Sequence, residues 1–217
     1  MRALKPMGAM DPDRRGISSL TGDEYRRAMS QRYETGHTPW DSGRPDPELI
    51  RAVTAGELPG TTLLELGCGM GTNAIELARR GYRVKAIDLV DLPIQQARER
   101  ARKAGVAVEF LSGDLTKLDL GGPFDCLVDV GLYHGIRNRD LPGFLSTLRR
   151  VSRSGTRWLC LAGNANETLP DGPPVVREEE FRTELEPLFR ILRVREFRFD
   201  LSRDFRPLAW SILAERR

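Results

Sequence analysis

Three glycines fall within five residues, Gly67-Cys68-Gly69-Met70-Gly71, directly after the short apolar run Thr62–Leu66. An acid, Glu65, stands two positions ahead of the first of them. Such a turn lets backbone amides approach a bound molecule with no Cβ in the way. The dinucleotide fingerprint would need its third glycine at position 72, where this chain has Thr72. The observed Gly-x-Gly-x-Gly spacing therefore points away from NAD and toward a ligand with no pyrophosphate to cradle. A glycine-rich turn that holds nothing is the plain alternative. Asp88 follows 21 residues after Gly67, at the end of a second apolar run. A carboxylate there can accept from both hydroxyls of a ribose, or it can simply cap a helix. Asp114, in Ser112-Gly113-Asp114-Leu115, can accept from an adenine amino group while Leu115 packs on the ring. A turn aspartate is its plainer reading.

A second group of reactive types lies further along. Asp129-Val130-Gly131-Leu132-Tyr133-His134 closes a fourth apolar run. His134 is one of two histidines, and a histidine near its ordinary pKa is the natural base for a hydroxyl. It can equally pack beside a ligand without moving a proton. Tyr133 reads as a pocket wall rather than a catalyst. In the polar stretch Thr35–Pro45, Trp40 is a large aromatic within a turn-rich segment, which suggests a lid over residues 25–47. Within that stretch, His37 and Arg44 are candidate substrate contacts, although Arg44 can also pair with Asp46. Cys68 reads as lining the loop rather than as a nucleophile.

The elements that would position these residues alternate along the chain. Strands are expected at 62–66, 83–87, 106–111, 124–130 and 157–161, and near 191–199 and 208–214. Helices are expected at 23–34, from Asp46-Pro47, and at 72–80, 92–104, about 139–151 and about 177–189. Asp46 followed by Pro47 is a helix start, and Gly81 and Gly105 are stops. Strands separated by helical segments of 10–15 residues predict a parallel sheet covered on both faces, a single doubly wound α/β domain. Residues 1–22 lack periodicity and read as a flexible arm, with Met7 or Met10 as possible natural starts. Residues 23–60 read as N-terminal helices and lid, and 61–217 as the catalytic domain.

Composition narrows the classes further. The 217 residues carry 34 Lys+Arg against 31 Asp+Glu, for a net charge of +3. Acids are interspersed with the bases, so no nucleic-acid face is expected. The Arg-rich stretch 190–206 reads as strand and loop surface. No run approaches the roughly 20 apolar residues of a membrane span, and no secretory leader is expected. Three cysteines, Cys68, Cys126 and Cys160, form neither a metal spacing nor a disulfide framework. A cytoplasmic setting and no metal are the expectations.

Leu64-Glu65-Leu66-Gly67-Cys68-Gly69-Met70-Gly71, Asp88 and Gly113-Asp114 resemble the successive cofactor motifs of class I S-adenosylmethionine-dependent methyltransferases. Pro39-Trp40-Asp41-x-Gly43-Arg44-Pro45 resembles the N-terminal motif of the thiopurine-methyltransferase-like small-molecule enzymes. Phe124-Asp125-x-x-x-Asp129-x-Gly131-x-Tyr133-His134 and Ala209-Trp210 are similar to the same group. The likeness runs over about residues 33–217. It implies a Rossmann-like seven-stranded sheet whose last strand is antiparallel. It also implies that Glu65 faces the amino-acid end of S-adenosylmethionine, with Gly67, Cys68, Gly69 and Gly71 along its methionine moiety. Asp88 would hold the ribose, Asp114 with Leu115 would bracket the adenine, and Leu89, Trp40 and Asp129 would complete the cofactor site. Relatives of this kind methylate thiols, halides, or phenolic and quinol hydroxyls, so the expected partner is a small aromatic or apolar acceptor of a methyl group on oxygen or sulfur. The absence of an Asn-Pro-Pro-Tyr type motif disfavours a planar amide or adenine nitrogen. A non-catalytic cofactor-binding module is the competing reading, and an NAD(P)-dependent reductase is a third.

Overall fold

The computed structural model describes Leu20 and residues 22–169, 172–201 and 205–217. Almost all of the expected arm, with both alternative starts, lies outside the described residues. Five strands form the expected series, each joined to the next by a helix except β3 and β4, which a loop joins: β1 (Thr62–Leu66), β2 (Arg83–Asp88), β3 (Val108–Ser112), β4 (Cys126–Val130) and β5 (Arg157–Asn164). Three further strands follow: β6 (Val175–Val176), β7 (Phe189–Arg198) and β8 (Leu208–Arg216). The helices are α1 (Gly22–Glu34), α2 (Pro47–Thr54), α3 (Thr72–Arg79), α4 (Asp91–Ala104), α5 (Tyr133–Val151) and α6 (Glu178–Leu185).

The continuous sheet has the order β3-β2-β1-β4-β5-β8-β7. β8 pairs antiparallel with both β5 and β7, and the remaining pairs are parallel. The last strand alone is therefore reversed, on a path of seven strands, as the family resemblance implies. The two-residue β6 is an addition that no periodicity announces. It pairs Gly163 and Asn164 of β5 beyond the point where the β4 pairing stops at Leu161. A Cβ on Gly163 would lie 2.2 Å from the Pro174 carbonyl oxygen, so this close pairing requires glycine there.

Side chains on the central strands alternate between two cores. Leu64, Leu66 and Leu127 face a cluster closed by Tyr133, Phe144, Leu148 and Phe181 from α5 and α6. Leu63, Cys126 and Val128 face a second cluster closed by Leu49, Ala74, Ile94 and Ala97 from α2, α3 and α4. This alternation is the period-two signature of a sheet buried on both faces. All three cysteines are free and buried. No helix among the described residues is long and apolar enough to cross a membrane.

Two local features bear on function, the first a departure from the sequence expectation. α5 begins at Tyr133, not near 139, and is two helical segments joined at Asp140, whose φ/ψ of −153°/65° is not helical. Pro142 has no N–H to continue the ladder, and Asp140 Oδ1 accepts instead from the Gly143 N–H at 2.9 Å. The leading segment thus ends where the second is capped anew. On the other face, the buried Glu48 of α2 accepts from the Ser211 hydroxyl (2.7 Å) and the Arg51 Nε–H (2.9 Å). Arg193 and Arg195 of β7 each approach it within 3.7 Å. This network fastens α2 to the two antiparallel strands.

Candidate active site

Strand order reverses between β1 and β4, and α/β sheets of this kind bind ligands outside the carboxyl ends of the strands at that point. The glycine turn leaves β1 there. Gly67, Gly69 and Gly71 have φ of 73°, 52° and 75°, a region that side-chain-bearing residues avoid. The space around each is also filled. A Cβ on Gly71 would lie 2.8 Å from Ala97 Cβ and Phe110 Cζ, and one on Gly67 would lie 3.0 Å from Leu132 Cβ. The Gly67 and Cys68 amides both donate to the Ile87 carbonyl, which ties the turn to β2.

Three carboxylates gather at these strand ends. Glu65 is 2% exposed and its Oε2 has no partner among the described residues. Burial pushes its pKa up to about 8; hydrogen bonds from Asn73 and Ala74 oppose this, while the nearby Asp88 and Asp129 add to it. Asp88 Oδ2 accepts from the Gly69 amide (2.9 Å) and Oδ1 from the Val90 amide (3.0 Å), and burial raises its pKa despite these bonds. Asp129 is fully buried. Its Oδ1 accepts from the Leu132 and Tyr133 amides and so caps α5. Its Oδ2 has no hydrogen-bond partner of ordinary geometry among the described residues, and burial brings the group to about 6, with the two amides and the nearby Cys160 thiol opposing the rise. Desolvated acids held together without a counter-charge favour a cation in their midst.

The remaining candidates divide. Cys68 is buried, and burial pushes its thiol well above the ordinary range, which suits packing rather than nucleophilic attack. Leu89 is half-buried beside Asp88. Asp114 adopts its plainer role: Oδ1 accepts from the Thr116 amide and hydroxyl, and Oδ2 lies 3.3 Å from Lys117. Leu115 is buried in the core. Trp40 is half-buried, packs edge-on to Tyr33, and donates from Nε1 to the Tyr33 hydroxyl at 3.3 Å. A Cβ on Gly69 would meet that same hydroxyl at 3.1 Å, so Tyr33 of α1 stands directly over the glycine turn. Asp41 accepts from the Gly43 amide and lies 3.5 Å from both Thr72 of α3 and Arg100 of α4. His37 is exposed in the turn after α1.

Three expectations are corrected. Tyr133 is not a pocket wall. It is fully buried against Phe144 and Trp158, and its hydroxyl donates to Glu184 of α6 at 2.5 Å. Arg137 pairs with the same Glu184 and with Glu180, closing the network from α5 to α6. Arg44 pairs with Asp200 at 3.0 Å rather than with Asp46, which caps α2. His134 is not set up as a base. Its Nδ1 accepts from the buried Gly163 amide at 2.9 Å, which leaves the ring proton of the neutral imidazole on Nε2. Burial, aided by the Arg139 charge, lowers its pKa to about 4, so near neutrality His134 is an uncharged donor through Nε2.

Sequence reasoning missed Tyr25, Tyr33 and Arg139. The Arg139 guanidinium lies 3.5 Å from the centroid of the Tyr25 ring, so α1 meets the leading segment of α5 across the strand ends. The Tyr25-Met29-Tyr33 spacing of four residues was the available signal, one stripe along α1. A hollow of about 400 Å³, lined by Arg26, Ser30, Val90 and Leu92 among others, lies between α1 and the start of α4. A larger open groove of about 920 Å³ runs past Arg83, Val108 and Phe124, at the opposite, amino-terminal ends of the strands. It is remote from the acids.

Residues 63–155 match the family model described as a methyltransferase domain. The chain is 29% identical over 148 residues to the 2-heptyl-1-hydroxyquinolin-4(1H)-one methyltransferase of Mycobacteroides abscessus, covering 66% of this chain and 65% of that protein. It thus spans just under two thirds of that relative's length. It is 24% identical over 176 residues to the probable thiol methyltransferase 2 of Arabidopsis thaliana, covering 76% and 78% of the two chains. A solved structure concerned with conversion of a disulfide bond into a thioacetal group during echinomycin biosynthesis superposes with a TM-score of 0.75. It is 24% identical and covers 88% of this chain and 91% of that one. The methyltransferase match over residues 63–155 falls on the strands that carry the left-handed glycine turn at the switch point, within a sheet reversed only at β8, so this part of the chain is similar to a methyltransferase domain in sequence and is Rossmann-like in fold.

Proposed function

We propose that the protein transfers the methyl group of S-adenosylmethionine to an oxygen or sulfur of a small aromatic or apolar molecule, as a thiopurine-methyltransferase-like enzyme. The observation that carries this reading is the group of buried acids around the glycine turn, two of which have an oxygen with no partner among the described residues. The cofactor brings an ammonium and a sulfonium, which suit those acids, and a carboxylate, which suits the amides at the start of α3. Asp88 would accept from the ribose hydroxyls. Glu65 would face the amino-acid end, and Gly67, Cys68, Gly69 and Gly71 would lie along it. Leu89, Asp114 and Leu115 would bound the base, Asp129 would hold the start of α5 beneath the site, and Trp40 would close it. Residues 25–47 form the lid in this reading, with Tyr33 and Trp40 over the glycine turn. His37 and Arg44 lie on its outer side as secondary substrate contacts.

When bound, the cofactor supplies the electrophilic methyl and its own leaving group. The chain's task is then to align the acceptor and exclude water, and such alignment can contribute on the order of 7–11 kcal/mol. Support for an oxygen or sulfur acceptor comes from the two relatives, whose names give a hydroxyquinolone and a thiol. The Asp88→Ala variant tests the cofactor assignment by calorimetric titration with S-adenosylhomocysteine. Losing two hydrogen bonds to a charged group, each roughly 1.5–3 kcal/mol, should weaken binding by at least about 100-fold. Unchanged affinity would reject the assignment. Turnover of a panel of thiols, phenols, quinols and halides on the same sample would then identify the acceptor atom.

A further inference from the structure

Two arginines stand on the leading segment of α5, and they are treated differently. Arg137 is paired with Glu184 and Glu180. Arg139 makes no ion pair among the described residues. Its Nη1 donates to the Gly135 carbonyl at 3.0 Å, and its guanidinium carbon lies 3.5 Å from the Tyr25 ring centroid of α1. The charge is close enough to lower the pKa of His134, whose Nε2 carries a proton to donate. A cation and a neutral N–H donor thus stand on the leading segment of α5, beyond Asp129, which caps that helix.

Resting on the methyltransferase reading above, we infer that Arg139 is the specificity-determining residue for the acceptor, and that it selects a planar acid bound as its anion. The acceptor loses its proton to solvent before it binds, and the guanidinium and the His134 Nε2–H hold the resulting oxygen or sulfur anion. A lone pair on that atom forms the new bond to the methyl carbon as the carbon–sulfonium bond breaks, and the breaking pair stays on the cofactor sulfur. Anion and sulfonium become neutral products, no proton is released in the site, and no base is required. This accounts for a buried histidine whose accepting nitrogen is already occupied.

The test is a binding measurement on the full chain saturated with S-adenosylhomocysteine, with 4-nitrobenzoate and 4-nitrobenzamide as matched charged and neutral probes. The wild type should bind the anion at least tenfold more tightly than the amide. Arg139→Met should remove that preference while leaving affinity for the amide and for S-adenosylhomocysteine unchanged. Arg139→Lys keeps the charge but loses the planar fork, and should retain an intermediate preference. A wild type with no anion preference, or that binds neither probe, overturns the inference, as does a preference that survives Arg139→Met. Failure of S-adenosylhomocysteine itself to bind the wild type would instead overturn the underlying methyltransferase reading.

Discussion

Glu65 is a buried acid without a counter-charge, and its titration makes that burden measurable. Its pKa rises from 4.5 in the unfolded chain to about 8 in the fold, so the folded state binds more protons across that interval. Stability without ligand must therefore fall as pH rises through it. His134 acts in the opposite sense, because its pKa drops from 6.5 to about 4 and it favours the fold as pH rises through that lower window. Between pH 6.5 and 8 the Glu65 effect is left. The melting temperature of the ligand-free protein should drop by several degrees across that range, and Glu65→Gln should flatten the drop; thermal melts in matched buffers would check both. That Glu65, Asp88 and the three glycines stand at the carboxyl ends of β1 and β2 was legible in the sequence, because the apolar runs end there and the turn needs glycine. Tyr133 and His134 were misread because residue type alone does not say which way a side chain leaves the start of a helix. Tyr133 turns into the core toward Glu184, 51 residues away, and His134 offers its accepting nitrogen to the Gly163 amide on β5. Both partners are set by tertiary contact.

At the scale of elements, the helix starts and stops were readable: Asp46 caps α2 through the Glu48 and Leu49 amides, and Gly105 ends α4 in the left-handed conformation. The leading segment of α5 was not, because Gly135, Asn138 and Asp140 dilute its helical character. β6 is two residues long, too short for any period to register. Glu48→Gln should show how firmly α2 is attached. Arg51 and Arg193 keep Glu57 at 2.8 and 2.7 Å and Arg195 is part-exposed, so the loss is that of charge-assisted hydrogen bonding to Glu48, about 1.5–3 kcal/mol; urea denaturation would read it. Trp40→Ala addresses the loop after α1. It removes the donor to Tyr33 and the edge-on contact, and should weaken S-adenosylhomocysteine binding by about tenfold through loss of roughly 1–1.5 kcal/mol. Equal affinity in both proteins would mean that the loop covers nothing.

For the whole molecule, alternation of strand and helix foretold the doubly wound sheet, since each central strand is apolar on both sides and its neighbours are reached by helical crossovers. The reversal of β8 was not visible in its residues and came only from the family resemblance, because strand direction leaves no mark on hydrophobic period. Fold and cofactor are coupled by mass action: ligand at 100 times its dissociation constant adds about 2.7 kcal/mol. For a chain of this size that corresponds to a rise of roughly 5–10 °C in melting temperature, measurable by differential scanning fluorimetry with S-adenosylmethionine. The burial of all three cysteines has a practical corollary. In its folded state the protein presents a blank background to maleimide dyes and nitroxide spin labels, so one thiol introduced by Ser30→Cys would carry the whole signal. That position borders the hollow between α1 and α4, where an attached fluorophore would report, in real time and in a single cuvette, each opening and closing of the cleft.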